Sequence, residues 1–133
     1  MIPALRFLRL SNNFLGGSIP ASLGKLQMLE WLEISNAGLF STLPAELGNL
    51  TSLNYMDLSH NQLHGSLPTS FAEMQGIGAL YLSGNNLSGA IPLELFTNWT
   101  ELLLFDLSNN SFNGSIPAQI DNCNIFRIFG LVR

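Results

Sequence analysis

Charge is scarce in this chain. Asp, Glu, Lys and Arg make up 11% of its 133 residues, against about 25% in an average soluble domain. Only five are basic and the formal net charge is −4, which argues against nucleic acid or an anionic membrane as partner. Cysteine is scarcer still: Cys123 stands alone, so no disulfide framework is available and the redox compartment stays open. The two histidines, His60 and His64, have no Cys or carboxylate at ligand spacing, so no metal site is expected. No apolar run reaches the ~18 residues of a membrane-spanning helix. The opening MIPALRFLRL lacks the ordered charged, apolar and cleavage regions of a secretory signal. A Gly-rich phosphate loop, a kinase catalytic loop and a nucleophile elbow are all missing. Neither catalysis nor a cofactor is expected.

What the chain does contain is a beat. Pro20, Pro44, Pro68, Pro92 and Pro117 recur at one constant interval, except that the last step is longer by a single residue; only Pro3 falls outside the series. A fixed period of this length marks a stacked-repeat protein. The first unit reads Leu5-x-x-Leu8-x-Leu10-Ser11-x-Asn13-x-Leu15-x-Gly17-x-Ile19-Pro20-x-x-Leu23-Gly24-x-Leu26. Leu8 and Leu10 alternate with Phe7, Arg9 and Ser11, the period-2 pattern of a strand with one buried face. Asn13 ends that strand with an amide able to satisfy inward-turned backbone groups. Gly17 permits a positive φ, and Pro20 removes a donor and fixes the returning path. The strand pairs recur as Leu32/Ile34, Met56/Leu58, Leu80/Leu82 and Phe105/Leu107. The turn Asn recurs as Asn61, Asn85 and Asn110, the Gly as Gly65, Gly89 and Gly114. One unit buries too little apolar surface to stand alone, so adjacent units must stack into a parallel sheet.

These residues resemble the plant-type, extracellular leucine-rich repeat, L-x-x-L-x-L-S-x-N-x-L-x-G-x-I-P-x-x-L-G-x-L, over nearly the whole chain. The resemblance implies a leucine-rich repeat solenoid, a curved right-handed superhelix. Its parallel β-sheet would line the concave face, with short 3-10 or irregular segments on the convex face. It further implies the ectodomain of a plant receptor-like kinase or receptor-like protein. Such a parent carries its signalling parts, including any Ser/Thr kinase domain, outside this segment. The implied setting is the extracellular side of the plasma membrane or the cell wall, with a peptide or protein ligand and a co-receptor ectodomain as partners.

Departures from the pattern carry expectations of their own. Ala37 stands where the second unit should have its turn Asn, and Ser41 replaces the Gly. Losing that Asn would leave buried backbone groups unpaired, at roughly 1–3 kcal/mol, unless Asn36 or a water compensates. The fourth unit carries one extra residue near Phe96-Thr97-Asn98-Trp99, where a local bulge is expected. Ile2 matches the last core position of a preceding repeat, and Phe126-x-x-Phe129-x-Leu131 restarts the strand pattern before Arg133. Residues 1–133 thus read as a single uncapped array of about five such repeats, with partial repeats at both ends. An internal window of a longer ectodomain is expected, or a truncated product.

Five N-x-Ser/Thr sequons occur, at Asn49, Asn86, Asn98, Asn109 and Asn113, and favour a secreted glycoprotein. Cys123, after Asn122, occupies a core Leu position and reads as a buried inert thiol. Ser11, Ser35, Ser59, Ser83 and Ser108 are one repeated position rather than a set of nucleophiles.

The variable strand positions pointing away from the core should do the binding. One column reads Phe7, Trp31, Tyr55, Ala79, Leu104, Ile128. The next reads Arg9, Glu33, Asp57, Tyr81, Asp106, Gly130. A third reads Arg6, Glu30, Asn54, Gly78, Leu103, Arg127. Eight of the fourteen charged residues fall on this face when Arg133 is counted. Exposed Trp and Tyr bury large areas at low entropic cost. Glu33 and Asp57 should repel on adjacent rungs, with Arg9 relieving them as an ion pair. The expected site is therefore Phe7, Arg9, Trp31, Glu33, Tyr55, Asp57, Tyr81 and Asp106. Two other functions compete with a receptor segment. One is a secreted inhibitor of the polygalacturonase-inhibiting type, which shares the repeat and uses the concave face but would be Cys-capped. The other is a scaffold or non-functional array. The Gly-x-Ile-Pro phrase disfavours an intracellular array.

Overall fold

The structure, a computed structural model, describes residues 4–114 and the backbone of 127–129. Ile2, Pro3, Pro117, Asn122, Cys123, Phe126, Gly130, Leu131 and Arg133 lie outside those residues. Each period folds into one coil. Six short strands, β1 (Phe7–Arg9), β2 (Trp31–Glu33), β3 (Tyr55–Asp57), β5 (Ala79–Tyr81), β7 (Leu104–Asp106) and β9 (Arg127–Phe129), form one sheet. The sheet is parallel throughout, in the order β1-β2-β3-β5-β7-β9. Register follows the beat of the repeat: Phe7 pairs with Trp31, Trp31 with Tyr55, Tyr55 with Ala79 and Ala79 with Leu104.

The last pairing departs from the expected columns. Arg127, not Ile128, lies opposite Leu104, and Phe129, not Gly130, lies opposite Asp106. The step from Leu104 to its partner is therefore one residue shorter than the steps between the first three strands. Ile128 consequently shares a row with Phe105, Leu80 and Met56.

The strand residues between the face positions form the core. Leu32, Ile34, Met56, Leu58, Leu80, Leu82, Phe105 and Leu107 are all buried, while Leu8 and Leu10 of the edge coil are only partly covered. The returning segments enter short helices at Ala21–Lys25, Ala45–Asn49 and Thr69–Glu73, all 3-10. Pro20, Pro44 and Pro68 precede them at φ of −72°, −65° and −65°, values a proline ring sets in advance. Behind the turn lies a second sheet that the sequence pattern suggested only as an extended or turning path. Its strands β4 (His64–Gly65), β6 (Asn86–Gly89) and β8 (Ser111–Phe112) pair in parallel.

In the fourth coil the expected bulge is absent. The extra residue converts the helix to α1 (Leu93–Asn98), closed by the Trp99 N–H on the Leu95 carbonyl. Earlier coils close one residue sooner, as with Leu50 N–H on Leu47. Trp99 then fills the core, donating its indole N–H to the Phe71 carbonyl at 2.9 Å and meeting Phe105 edge-on at 5.4 Å.

The turn asparagines form a spine between coils. Asn61 accepts from the Ala37 and Leu39 N–H groups at 3.0 and 3.1 Å. Its amide donates to the carbonyls of Ile34, Leu58 and Ser59. Asn85 and Asn110 repeat this on Leu63 and Leu87. Asn36 does not close the gap at Ala37. Asn36 donates instead to the Asn12 side chain. The Ala37 carbonyl itself takes the Leu15 and Gly16 N–H groups at 3.1 and 3.0 Å. Left-handed backbone at Gly16 (φ 65°) and Gly38 (φ 70°) lets these two turns approach, a conformation in which a Cβ is strained.

Candidate ligand-binding face

The eight expected residues do meet on one surface, the outward face of the six-stranded sheet. Two rows run across it with rungs about 4.8 Å apart. Phe7, Trp31, Tyr55, Ala79 and Leu104 share one; Arg9, Glu33, Asp57, Tyr81 and Asp106 share the other. Trp31 and Tyr55 stack with centroids 3.7 Å apart and planes 9° from parallel. Tyr81 leans toward Tyr55 at 5.6 Å and 49°. All three rings are half-buried. Phe7 does not join them; it is 55% exposed and meets the Arg6 guanidinium at 5.8 Å.

The charges are arranged differently from expectation. Arg9 forms no ion pair with Glu33 or Asp57; its guanidinium lies over the Trp31 ring at 5.0 Å. An aromatic face attracts a guanidinium and is dehydrated at less cost than a second carboxylate site. The ion pair among the described residues is Arg6–Glu30, one column away. The Arg6 hydrogen bond holds the Glu30 carboxyl below its ordinary range. Asp57 is tied to its own strand end: one oxygen accepts from the Ser59 N–H at 2.9 Å and from its hydroxyl at 2.6 Å. Asp106 and Ser108 repeat the arrangement at 3.0 and 2.6 Å. Glu33 accepts from the Trp31 indole N–H at 3.4 Å. Burial, followed by the charges of Asp57, Tyr81 and Glu33, pushes the Tyr55 phenol up to about 12, with Arg9 opposing.

Sequence reasoning missed the serine role. It took the repeated Ser as structural only, whereas Ser59 and Ser108 orient the acids two residues before them. The signal was present as Asp-Leu-Ser at 57–59 and 106–108. Leu103, named only in a flanking column, is 54% exposed and adds an apolar end to the surface. The sequons lie elsewhere. Asn49 and Asn98 are on helices, and Asn86, Asn109 and Asn113 are in or beside the second sheet and its turns. None occupies a face position. A second concavity of about 450 Å³ lies on the helical side between Thr69–Glu73 and α1, remote from these residues.

An open array of parallel strands backed by short helices, with its variable residues on the strand face, is a leucine-rich repeat solenoid. The chain belongs to the leucine-rich repeat family: one family profile matches residues 29–87, and a second matches 4–26, 79–98 and 101–125. No curated protein matches the sequence. Among solved structures, it is 38% identical to the ectodomain of the plant membrane receptor kinase GASSHO1/SCHENGEN3 from Arabidopsis thaliana, in complex with CASPARIAN STRIP INTEGRITY FACTOR 2. That match has a TM-score of 0.89 and covers 95% of this chain and 15% of that one. The plant peptide hormone receptor RGFR1 in complex with RGF2 is 37% identical, with a TM-score of 0.91 over 96% of this chain and 20% of that one. The ectodomain of the receptor kinase SOBIR1 from Arabidopsis thaliana is 31% identical, with a TM-score of 0.84 over 93% and 67%. The chain thus spans a fifth or less of the length of the first two. Among the described residues no helix is long and apolar enough to cross a membrane.

Proposed function

We propose that this chain is a non-catalytic recognition module of a plant cell-surface receptor ectodomain. It binds an extended peptide or protein segment along the strand face. The observation that carries this reading is the stacked Trp31–Tyr55 pair set beside Glu33, Asp57 and Tyr81. Stabilising the array does not require it, because the core lies on the opposite side of the same strands. Large rings held rigid at a half-buried position lose little entropy on binding. The glycosylation sequons leave this face free, which fits a secreted protein whose contact surface must stay bare. Two of the matched receptors were solved with a ligand, and this chain shares their scaffold.

The test is selection of a random linear peptide display library on the protein, followed by binding to Trp31→Ala and Asp57→Lys variants of confirmed fold. Selected peptides should lose most of their affinity for both variants. Unchanged binding would sink the assignment of this face. Inhibition of a polygalacturonase, lost in the same variants, would assign the face to that enzyme instead.

A further inference from the structure

We infer that the notch bounded by Glu33, Asp57, Tyr55 and Tyr81 is a subsite for an arginine side chain of the bound peptide. This rests on the recognition reading above and specifies its chemistry. The two cations nearest these acids are already committed. Arg6 is engaged by Glu30, and Arg9 is engaged by the Trp31 ring. Glu33 and Asp57, opposite each other on β2 and β3, have no ion-pair partner among the described residues. Arg127, on β9, is three rungs from β3, about 14 Å away at the usual strand spacing.

Two like charges directly opposite across a parallel pair destabilise a sheet. Here both are also held in place. Asp57 has one oxygen fixed by Ser59, and Glu33 has one oxygen on the Trp31 indole N–H. The remaining oxygen of each carboxylate has no hydrogen bond to the described residues. The two carboxylates rise from opposed residues on adjacent strands, whose backbones lie about 4.8 Å apart, and a guanidinium, which donates along two edges at once, can bridge such a pair.

The aromatic side of the notch supplies the other half. Trp31 and Tyr55 stack with planes 9° apart, whereas Tyr81 meets Tyr55 at a tilt of 49° with centroids 5.6 Å apart. Ala79 follows Tyr55 in the first row, so the stack of that row ends at Tyr55. A planar cation can lie against these rings as Arg9 already lies against Trp31, in the arrangement that favours arginine over the more strongly hydrated lysine.

The experiment uses the peptides selected above that require Trp31. They should share an arginine at one position. Replacing that arginine with neutral, nearly isosteric citrulline should weaken binding by about tenfold or more. In a Glu33→Gln/Asp57→Asn double variant, the arginine and citrulline peptides should bind alike. Asp57→Asn keeps an acceptor oxygen for Ser59, and circular dichroism with thermal melting confirms the fold. Trp31-dependent peptides without an arginine preference, or citrulline forms that bind the unaltered protein equally well, would overturn the subsite and leave the recognition reading standing. Finding no Trp31-dependent peptide would remove both.

Discussion

Replacing Asn61 with leucine keeps the branched shape and heavy-atom count of the side chain and removes every polar contact of the most connected spine residue. Asn61 is 8% exposed, so the groups it leaves have little access to water. Three lose their partner: the N–H groups of Ala37 and Leu39, and the carbonyl of Ile34. The other two acceptors are not stranded. Leu58 O keeps the Asn85 amide and Ser59 O keeps the Asn36 N–H. At about 1–3 kcal/mol for each buried unsatisfied group, with partial relief from added apolar contact, the loss should be about 3–6 kcal/mol. That is a large part of the roughly 5–15 kcal/mol typical of a folded domain. Urea denaturation followed by far-ultraviolet circular dichroism measures the loss, and amide hydrogen exchange locates it at Ala37 and Leu39. The control is Asn36→Gly, which preserves a left-handed backbone (φ 50°) and removes one exposed hydrogen bond. It should cost less than about 1 kcal/mol. An Asn61→Leu loss as small as that of the control, with the two amides exchanging no faster, would refute the spine.

Other predictions follow from packing, titration and exposure. Gly48→Ala would set a Cβ 2.3 Å from the Ser70 carbonyl oxygen, a backbone atom that cannot swing aside. It should destabilise by about 1–3 kcal/mol, whereas Gly76→Ala, whose nearest atom is at 3.8 Å, should be neutral or stabilising by up to about 1 kcal/mol; thermal melts of both would tell. Because the folded Tyr55 phenol is raised to about 12 above its ordinary value near 10, the folded state holds that proton longer than the unfolded one. The stability it contributes is therefore complete below pH ~10 and lost as pH rises toward ~12. Ultraviolet difference spectra should show a late phenolate transition that Tyr55→Phe abolishes. In protein recovered from a plant secretory pathway, glycopeptide mass spectrometry should find Asn49, Asn86, Asn109 and Asn113 occupied, since all four are exposed. Asn98 should be poorly occupied, being half-buried with its amide donating to the Ala72 carbonyl.

The repeat made the sheet legible because one spacing sets both the core and the register. Once Leu32, Met56 and Leu80 are aligned, their strand neighbours must share the opposite face. The same rule failed at β9, where the step from β7 is one residue short and no residue type announces the slip. Ala37 shows another limit. A missing side chain is visible in sequence, but its replacement by a backbone carbonyl depends on how closely two glycine-bearing turns approach. On the candidate face, the column members were readable and their pairings were not. Arg9 chose between a carboxylate and a ring by solvation and geometry, neither of which spacing encodes. Asp57 and Asp106 turned toward serines that looked purely structural.

The α1 turn bears on how such an array tolerates insertion. Ala79 and Leu104 are paired although the chain between them is one residue longer than the chain between Tyr55 and Ala79. The added residue was absorbed by winding the back of the coil more loosely, so the ladder on the front never registered it. Length variation is thus absorbed on the side of the molecule away from the proposed recognition face. Insertions routed through the helical side should leave ligand choice intact, while a single residue added between the core leucines of a strand would rewrite the whole face.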